Sequence, residues 1–224
     1  MRSHVVAIFG GRGSGAIAAQ SIAALAANGT NVRLIGFLND TLAPRAIVAG
    51  APVLGRFASW RELPEEVTFL APLHKAKFMP ERLRIVERLG IPPHRWATIV
   101  DPRSAVAADA ELGPGCFIGP FASVGPAARL GAHGVVRAGA HVSHDCTIGQ
   151  FVFVGMNAVV CGYAAVDDGA YVAPNATIKD GCRVGRFAVV GLGAVVTRDV
   201  PERVVTAGSP ARPLEATVDA GDET

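Results

Sequence analysis

Between Leu130 and Val154 the chain reads LGAHGV VRAGAH VSHDCT IGQFVF V, four hexads that each open on an aliphatic residue. The spacing runs far beyond this stretch. Positions 106, 112, 118, 124, 130, 136, 142, 148, 154, 160, 166, 172, 178, 184, 190 and 196 read V, L, I, V, L, V, V, I, V, V, V, V, I, V, V, V. Four places after each of the first fifteen stands Ala, Cys or Gly, with Val152 the one larger residue. Gly directly follows the aliphatic residue at 113, 119, 125, 131, 149, 155, 185 and 191.

A helix repeats near 3.6 residues and a simple strand at 2, so neither explains a period of six. One bulky and one small inward residue per hexad describe short flat strands joined by tight corners. Three such strands close a triangular coil, and stacked coils bury a continuous core. Residues 106–195 hold fifteen hexads, hence about five coils. At the usual strand spacing that makes a prism roughly 24 Å tall. The same phase puts Cys116, Cys146 and Cys182 in the small inward slot, where Cys acts as a small hydrophobe. Only Cys161 falls elsewhere, so neither disulfides nor a cysteine metal site is expected.

Working outward, the 224 residues are 50% hydrophobic but only 6% aromatic and 18% charged, which makes the apolar content mostly Ala and Val. A net charge of +2 gives no basic field for nucleic acid. No apolar run reaches the length of a membrane span, and the N-terminus lacks the layout of a signal peptide. These features predict a soluble cytoplasmic enzyme or binding protein with reduced thiols.

Ahead of the repeat, His4–Phe9 is an apolar run followed by Gly10-Gly11-Arg12-Gly13-Ser14-Gly15, an Ala-rich segment to Ala27, and a second apolar run, Val32–Leu38, ending on Asn39-Asp40. Strand, glycine turn, helix and strand form a Rossmann-like βαβ unit, which can offer backbone N–H groups and a helix N-terminus to a phosphate. Val67–Ala71 reads as a later strand, Pro80–Leu89 as an amphipathic helix and Trp96–Val100 as a last strand. His74, Lys75 and Lys77 fall in the loop after Val67–Ala71, at the end of the sheet where ligands usually bind, with a solvated loop as the favoured reading over a ligand site. The expected division is an α/β domain over 1–100, a β-helix over 101–214 and a mobile tail over 215–224.

The repeat [LIV]-G-x-x-x-x resembles the signature of the hexapeptide, left-handed parallel β-helix acyltransferases. With the βαβ unit in front, the whole chain is similar to the sialic acid O-acetyltransferase and sugar-nucleotide N-acetyltransferase family. The matching stretches are Gly10–Gly15, Phe37–Asp40, Val142–Gly149, Val190–Asp199 and Ala207–Ala211. The resemblance implies the left-handed sense, a homotrimer with active sites between subunits, and acetyl transfer from acetyl-CoA to a nucleotide-linked amino sugar. O-acetylation of a sialic acid or related sugar is the nearest alternative. A non-catalytic trimeric scaffold or sugar-nucleotide sensor is a second.

His133, His141 and His144 all fall outside the inward slots, which predicts solvated, interfacial or functional imidazoles. Their offsets of eight and three do not match the β-helical carbonic anhydrases, so no metal is expected. The resemblance implies that His144 is the general base, that Asp145 orients it, and that the N–H of Gly162, eighteen residues on, holds the oxyanion. It implies acetyl-CoA contacts at Phe153, Gly162, Pro174 and Leu192. It places the nucleotide sugar at Arg12, Gly13, Ser14, Asn39 and Asp40. His141, three residues before His144, is expected to line the same groove against the substrate and is the second choice for the base. Departures from the family pattern are Gly13-Ser14-Gly15 in the first turn, Phe153 where a His is frequent, Ser143 before the catalytic His, and Pro72-Leu73-His74 where a Gly is usual.

Overall fold

A computed structural model describes residues 4–217. Strand β1 (His4–Phe9), helix α1 (Ser14–Ala27) and strand β2 (Val32–Leu38) follow the sequence reading. They join β3 (Ile47–Val48), β4 (Ala51–Gly55) and β5 (Val67–Leu70) in a sheet of order β3-β4-β2-β1-β5, parallel except for the β3–β4 hairpin. That hairpin went unread. Its loop, Ala49-Gly50, has positive φ at both residues, as a two-residue hairpin turn needs, but Ala at the first place hides the turn signal. Helix α2 (Met79–Leu89) buries Met79, Leu83, Val86 and Leu89 along one stripe and stops at Gly90 in the left-handed region.

The expected strand Trp96–Val100 is corrected. Trp96 makes an isolated bridge to Phe69, whereas Ile99–Val100 pair with Phe117–Ile118 and already belong to the repeat. From there two-residue strands pair in parallel with the strand eighteen residues later, as Ser123 with His141 and His141 with Val159. Every sixth residue from Gly115 to Gly193 has positive φ and turns a corner. Nine of these corners are not glycine, among them Phe121, His133, Asp145 and Tyr163, an unusual density of left-handed side-chain-bearing residues.

The second residue of each pair points inward with the small residues, and together they form the prism core. The first residues point outward and sort the three faces. One face presents Phe117, Val135, Phe153, Tyr171 and Val189. The N-terminal sheet and α1 pack on it, so Phe117, Val135 and Phe153 join the same apolar cluster as β1. A second face carries Glu111, Arg129, Thr147, Ala165 and Arg183. It is the charged face. The third carries Ala105, Ser123, His141, Val159, Thr177 and Val195 and faces a groove.

Polar contacts pin the two halves. Ser21 Oγ–H donates to buried Asp101 Oδ2 at 2.6 Å, and Arg137 donates to Ser14 Oγ at 3.0 Å. Burial alone would raise the Asp101 carboxyl, but bonds from Arg103 and Ser21 hold it below the ordinary range. Two histidine readings are corrected here. His74 is no solvated residue: its ring stacks on Phe151 at 4.1 Å and both ring nitrogens are buried, with no side-chain hydrogen-bond partner among the described residues. His133 does point away from the prism core, yet it lies edge-on to Trp96 at 4.5 Å beneath the N-terminal half. Burial, with the neighbouring His133 and Arg137 charges, pushes His74 down to about 3, and burial pushes His133 down to about 4.

The tail expectation is corrected for 215–217, which continue the strand Arg212–Thr217 antiparallel to Val204–Ala207. Residues 218–224 lie outside the described residues.

Candidate active site

The edge between the groove face and the charged face carries the HDC stretch. Val142 and Cys146 point inward and are buried, so the three residues between them bulge outward as a corner. Asp145 takes the left-handed conformation at φ 56, which turns its side chain back along the chain. His144 Nδ1–H donates to Asp145 Oδ2 at 2.9 Å, with both side chains about half exposed. An ionised carboxylate only accepts, so this bond fixes the proton on Nδ1 and leaves Nε2 as the free acceptor.

Neighbouring coils crowd His144, its backbone from below and its ring from above. A Cβ on Gly125, in the coil below, would stand 2.8 Å from His144 N. A Cβ on Gly162, in the coil above, would stand 2.6 Å from Cε1 and 2.8 Å from Nε2. Gly at 162 therefore lets the imidazole lie directly against backbone. Among the described residues the Gly162 N–H donates to no backbone acceptor, while its carbonyl accepts from Gly181 N–H. Tyr163 N–H donates to the His144 carbonyl at 3.2 Å, and its ring meets the imidazole edge-on at 5.1 Å.

His144 opens on a groove of about 420 Å³ whose polar lining includes Ser123, His141, Ser143, Cys161 and Asp180. His141 Nδ1 and Ser123 Oγ are hydrogen-bonded at 2.6 Å. Sequence reasoning missed Ser123, Tyr163 and Asp180. The eighteen-residue step that leads from His144 to Gly162 reaches Asp180 next, so the repeat held that signal.

Pro174 and Leu192 are not beside His144. They lie on the opposite edge of the groove face, where Phe121, Met156 and Leu192 are exposed at 65%, 40% and 74% and form an apolar ridge. Phe153, expected at the cofactor, is corrected: its ring stacks on Tyr171 at 4.4 Å and is buried on the face that the N-terminal half covers.

A second cavity of about 220 Å³ sits at the carboxyl end of β1 beside the first turn of α1. Arg12 and Ser14 line it with His74, Lys75 and Arg82. Gly13 caps α1 with φ 75 and no side-chain cap, and the first helical turn holds no acidic residue. Asn39 and Asp40 make hydrogen bonds that shape the neighbouring loops. Asn39 donates to the Gly10 carbonyl and accepts from Thr41 and Leu42 N–H, and Asp40 accepts from Phe57 N–H. They shape the glycine turn and do not line this cavity. Among the described residues no group of three or more His, Cys, Asp or Glu is placed to hold a metal ion.

No protein-family model matches the chain, and no curated protein matches it closely. Solved structures do. The acetyltransferase domain of PglB from Neisseria gonorrhoeae FA1090, in complex with acetyl coenzyme A, is 27% identical over 95% of this chain and 100% of its own, with a TM-score of 0.84. PerB from Caulobacter crescentus, in complex with CoA and GDP-perosamine, is 24% identical over 93% of this chain and 96% of its own, with a TM-score of 0.77. WeeI from Acinetobacter baumannii AYE is 23% identical over 94% and 99%, with a TM-score of 0.79. The neighbours are sugar acyltransferases of the hexapeptide-repeat, left-handed β-helix family, and this chain is similar to them in repeat and fold over nearly its whole length.

Proposed function

We propose that this chain transfers acetyl from acetyl-CoA to the amine of a nucleotide-linked amino sugar. One observation carries the reading: an imidazole with its Nδ1 proton tied to a carboxylate lies against bare Gly162 backbone in an open groove. The full-length likeness to a PglB domain solved with acetyl coenzyme A supports it.

In this mechanism the amine nitrogen attacks the thioester carbonyl while His144 Nε2 takes the amine proton. Asp145 holds the resulting imidazolium, and the Gly162 N–H meets the oxyanion. The tetrahedral intermediate then collapses with loss of the CoA thiolate, which takes up the proton from Nε2. An amine is favoured over a hydroxyl because it needs no prior deprotonation to be nucleophilic. A single half-exposed imidazole then suffices.

The nucleotide belongs, on this reading, to residues 1–100 as a Rossmann-like domain, with the β-helix over 101–214. Arg12, Gly13 and Ser14 at the start of α1 suit a diphosphate, with Lys75 and Arg82 adding positive charge to the same cavity. Asn39 and Asp40 hold that turn in shape. Pro174 and Leu192 meet the cofactor from a second copy, whose apolar ridge closes the His144 groove in a homotrimer. Four free cysteines fit a reducing, cytoplasmic location.

The test is release of free thiol from acetyl-CoA across a panel of amino-sugar nucleotides and their hydroxyl counterparts. Turnover with amines well above that with hydroxyls is expected. Faster turnover with hydroxyls, or none with any acceptor, overturns the reading.

A further inference from the structure

Three residues before His144, a second imidazole lines the same groove. His141 is an outward residue of the groove face, and Ser123 lies in register one coil below it. Their side chains meet at 2.6 Å, while the next residue up this ladder is Val159 and the residue below Ser123 is Ala105. An exposed histidine ordinarily samples several rotamers. This one has Nδ1 committed to Ser123, and Nε2 has no partner among the described residues.

Position then says what the free nitrogen meets. The function proposed above puts the thioester at Gly162, in the coil above His144, and the rest of the cofactor further up, against Pro174 and Leu192 of the second copy. Ser123 and Pro126 line the groove in the coil below. The acceptor therefore takes the lower part of the groove, alongside His141. The two histidines are separated by at most ~10 Å of extended chain. A sugar ring with its substituents bridges that span.

We propose that the Ser123–His141 pair selects the acceptor: His141 Nε2 hydrogen-bonds a sugar hydroxyl vicinal to the reacting amine, and Ser123 is the positioning residue that aims the ring. The inference rests on the acetyl-transfer reading and deepens it. No bond is made or broken at this pair.

The test compares the full chain with Ser123→Ala, Ser123→Thr and His141→Gln. It uses acetyl-CoA and two acceptors, an amino-sugar nucleotide and its analogue with hydrogen in place of the vicinal hydroxyl. Ser123→Ala and His141→Gln should raise KM for the hydroxylated acceptor about fivefold, with KM for acetyl-CoA moving by less than about twofold. Ser123→Thr should restore the parent value, and the deoxy acceptor should not distinguish any of the chains. Equal losses on both acceptors, or a loss confined to acetyl-CoA, overturn the proposal. An active parent matched by all three variants overturns it alone, whereas a parent that releases thiol with no acceptor overturns it together with the reading it rests on.

Discussion

The open edge of the prism and the seam beneath its covered face each hold two histidines, and their environments are opposite. At the edge, His144 is half exposed, paired to Asp145 and backed by Gly162, and His141 is tied to Ser123. In the seam, His74 and His133 are packed on Phe151 and Trp96, with both His74 ring nitrogens and His133 Nδ1 buried and lacking partners among the described residues. His133 turns its corner in the left-handed region and His144 stands one residue before such a turn, at Asp145, yet both point outward from the prism. What separates them is whether another part of the chain covers the corner. The edge keeps a proton acceptor available, and the seam uses imidazole as neutral packing material.

The contrast breaks most sharply at His144. His144→Ala should cut acetyl transfer about a thousandfold, as loss of a general base does, with little change in thermal melting. Thiol release and a melting curve check it. A melting loss as large as the activity loss would make the edge a structural feature like the seam.

The next largest effect belongs to the seam and reads as stability. His74 and His133 have folded values of about 3 and about 4, below the ordinary 6.5 of the unfolded chain. The unfolded state therefore takes up protons first as pH falls, and stability present at neutral pH is lost progressively below about 6.5. Melting should drop by roughly 5–10 °C between pH 7 and pH 4.5. His74→Leu should visibly shrink that drop. Asp101 is also held low and loses its contribution only at still lower pH, so this window reports the seam. A melting temperature flat across it would contradict the sealed histidines.

The smallest effect sharpens the edge. Asp145→Asn should lower kcat about tenfold and leave melting unchanged, because a half-exposed ion pair adds little to stability. An unchanged kcat would leave His144 oriented by Gly162 and Tyr163 alone.

The prism was legible because packing dictates it: the inward slots admit only one bulky and one small residue, and that rule shows at every sixth position. Its outward residues were less legible. The Asp145–His144 bond depends on a left-handed φ that Asp does not announce, and the Ser123–His141 bond depends on stepping each outward residue by eighteen. His74 was unreadable from its own neighbours, since its cover is Phe151, far along the chain. Asn39 and Asp40 carried the right signal at the glycine turn, but their hydrogen bonds fasten loops there. Phe153 failed for the reason His133 did, because the sequence does not say which face of the prism the first hundred residues will cover.

Parallel strands stacked one on another have no natural last member: the topmost always presents unpaired amides that invite one more. On the covered face the chain answers by reversing, with Arg212–Thr217 running against Val204–Ala207. The eighteen-residue step has already shortened to sixteen where Val189 pairs with Val205, and the antiparallel strand laid on top leaves a further coil, from this molecule or another, no matching template. The closing strand thus keeps a growth-prone architecture finite.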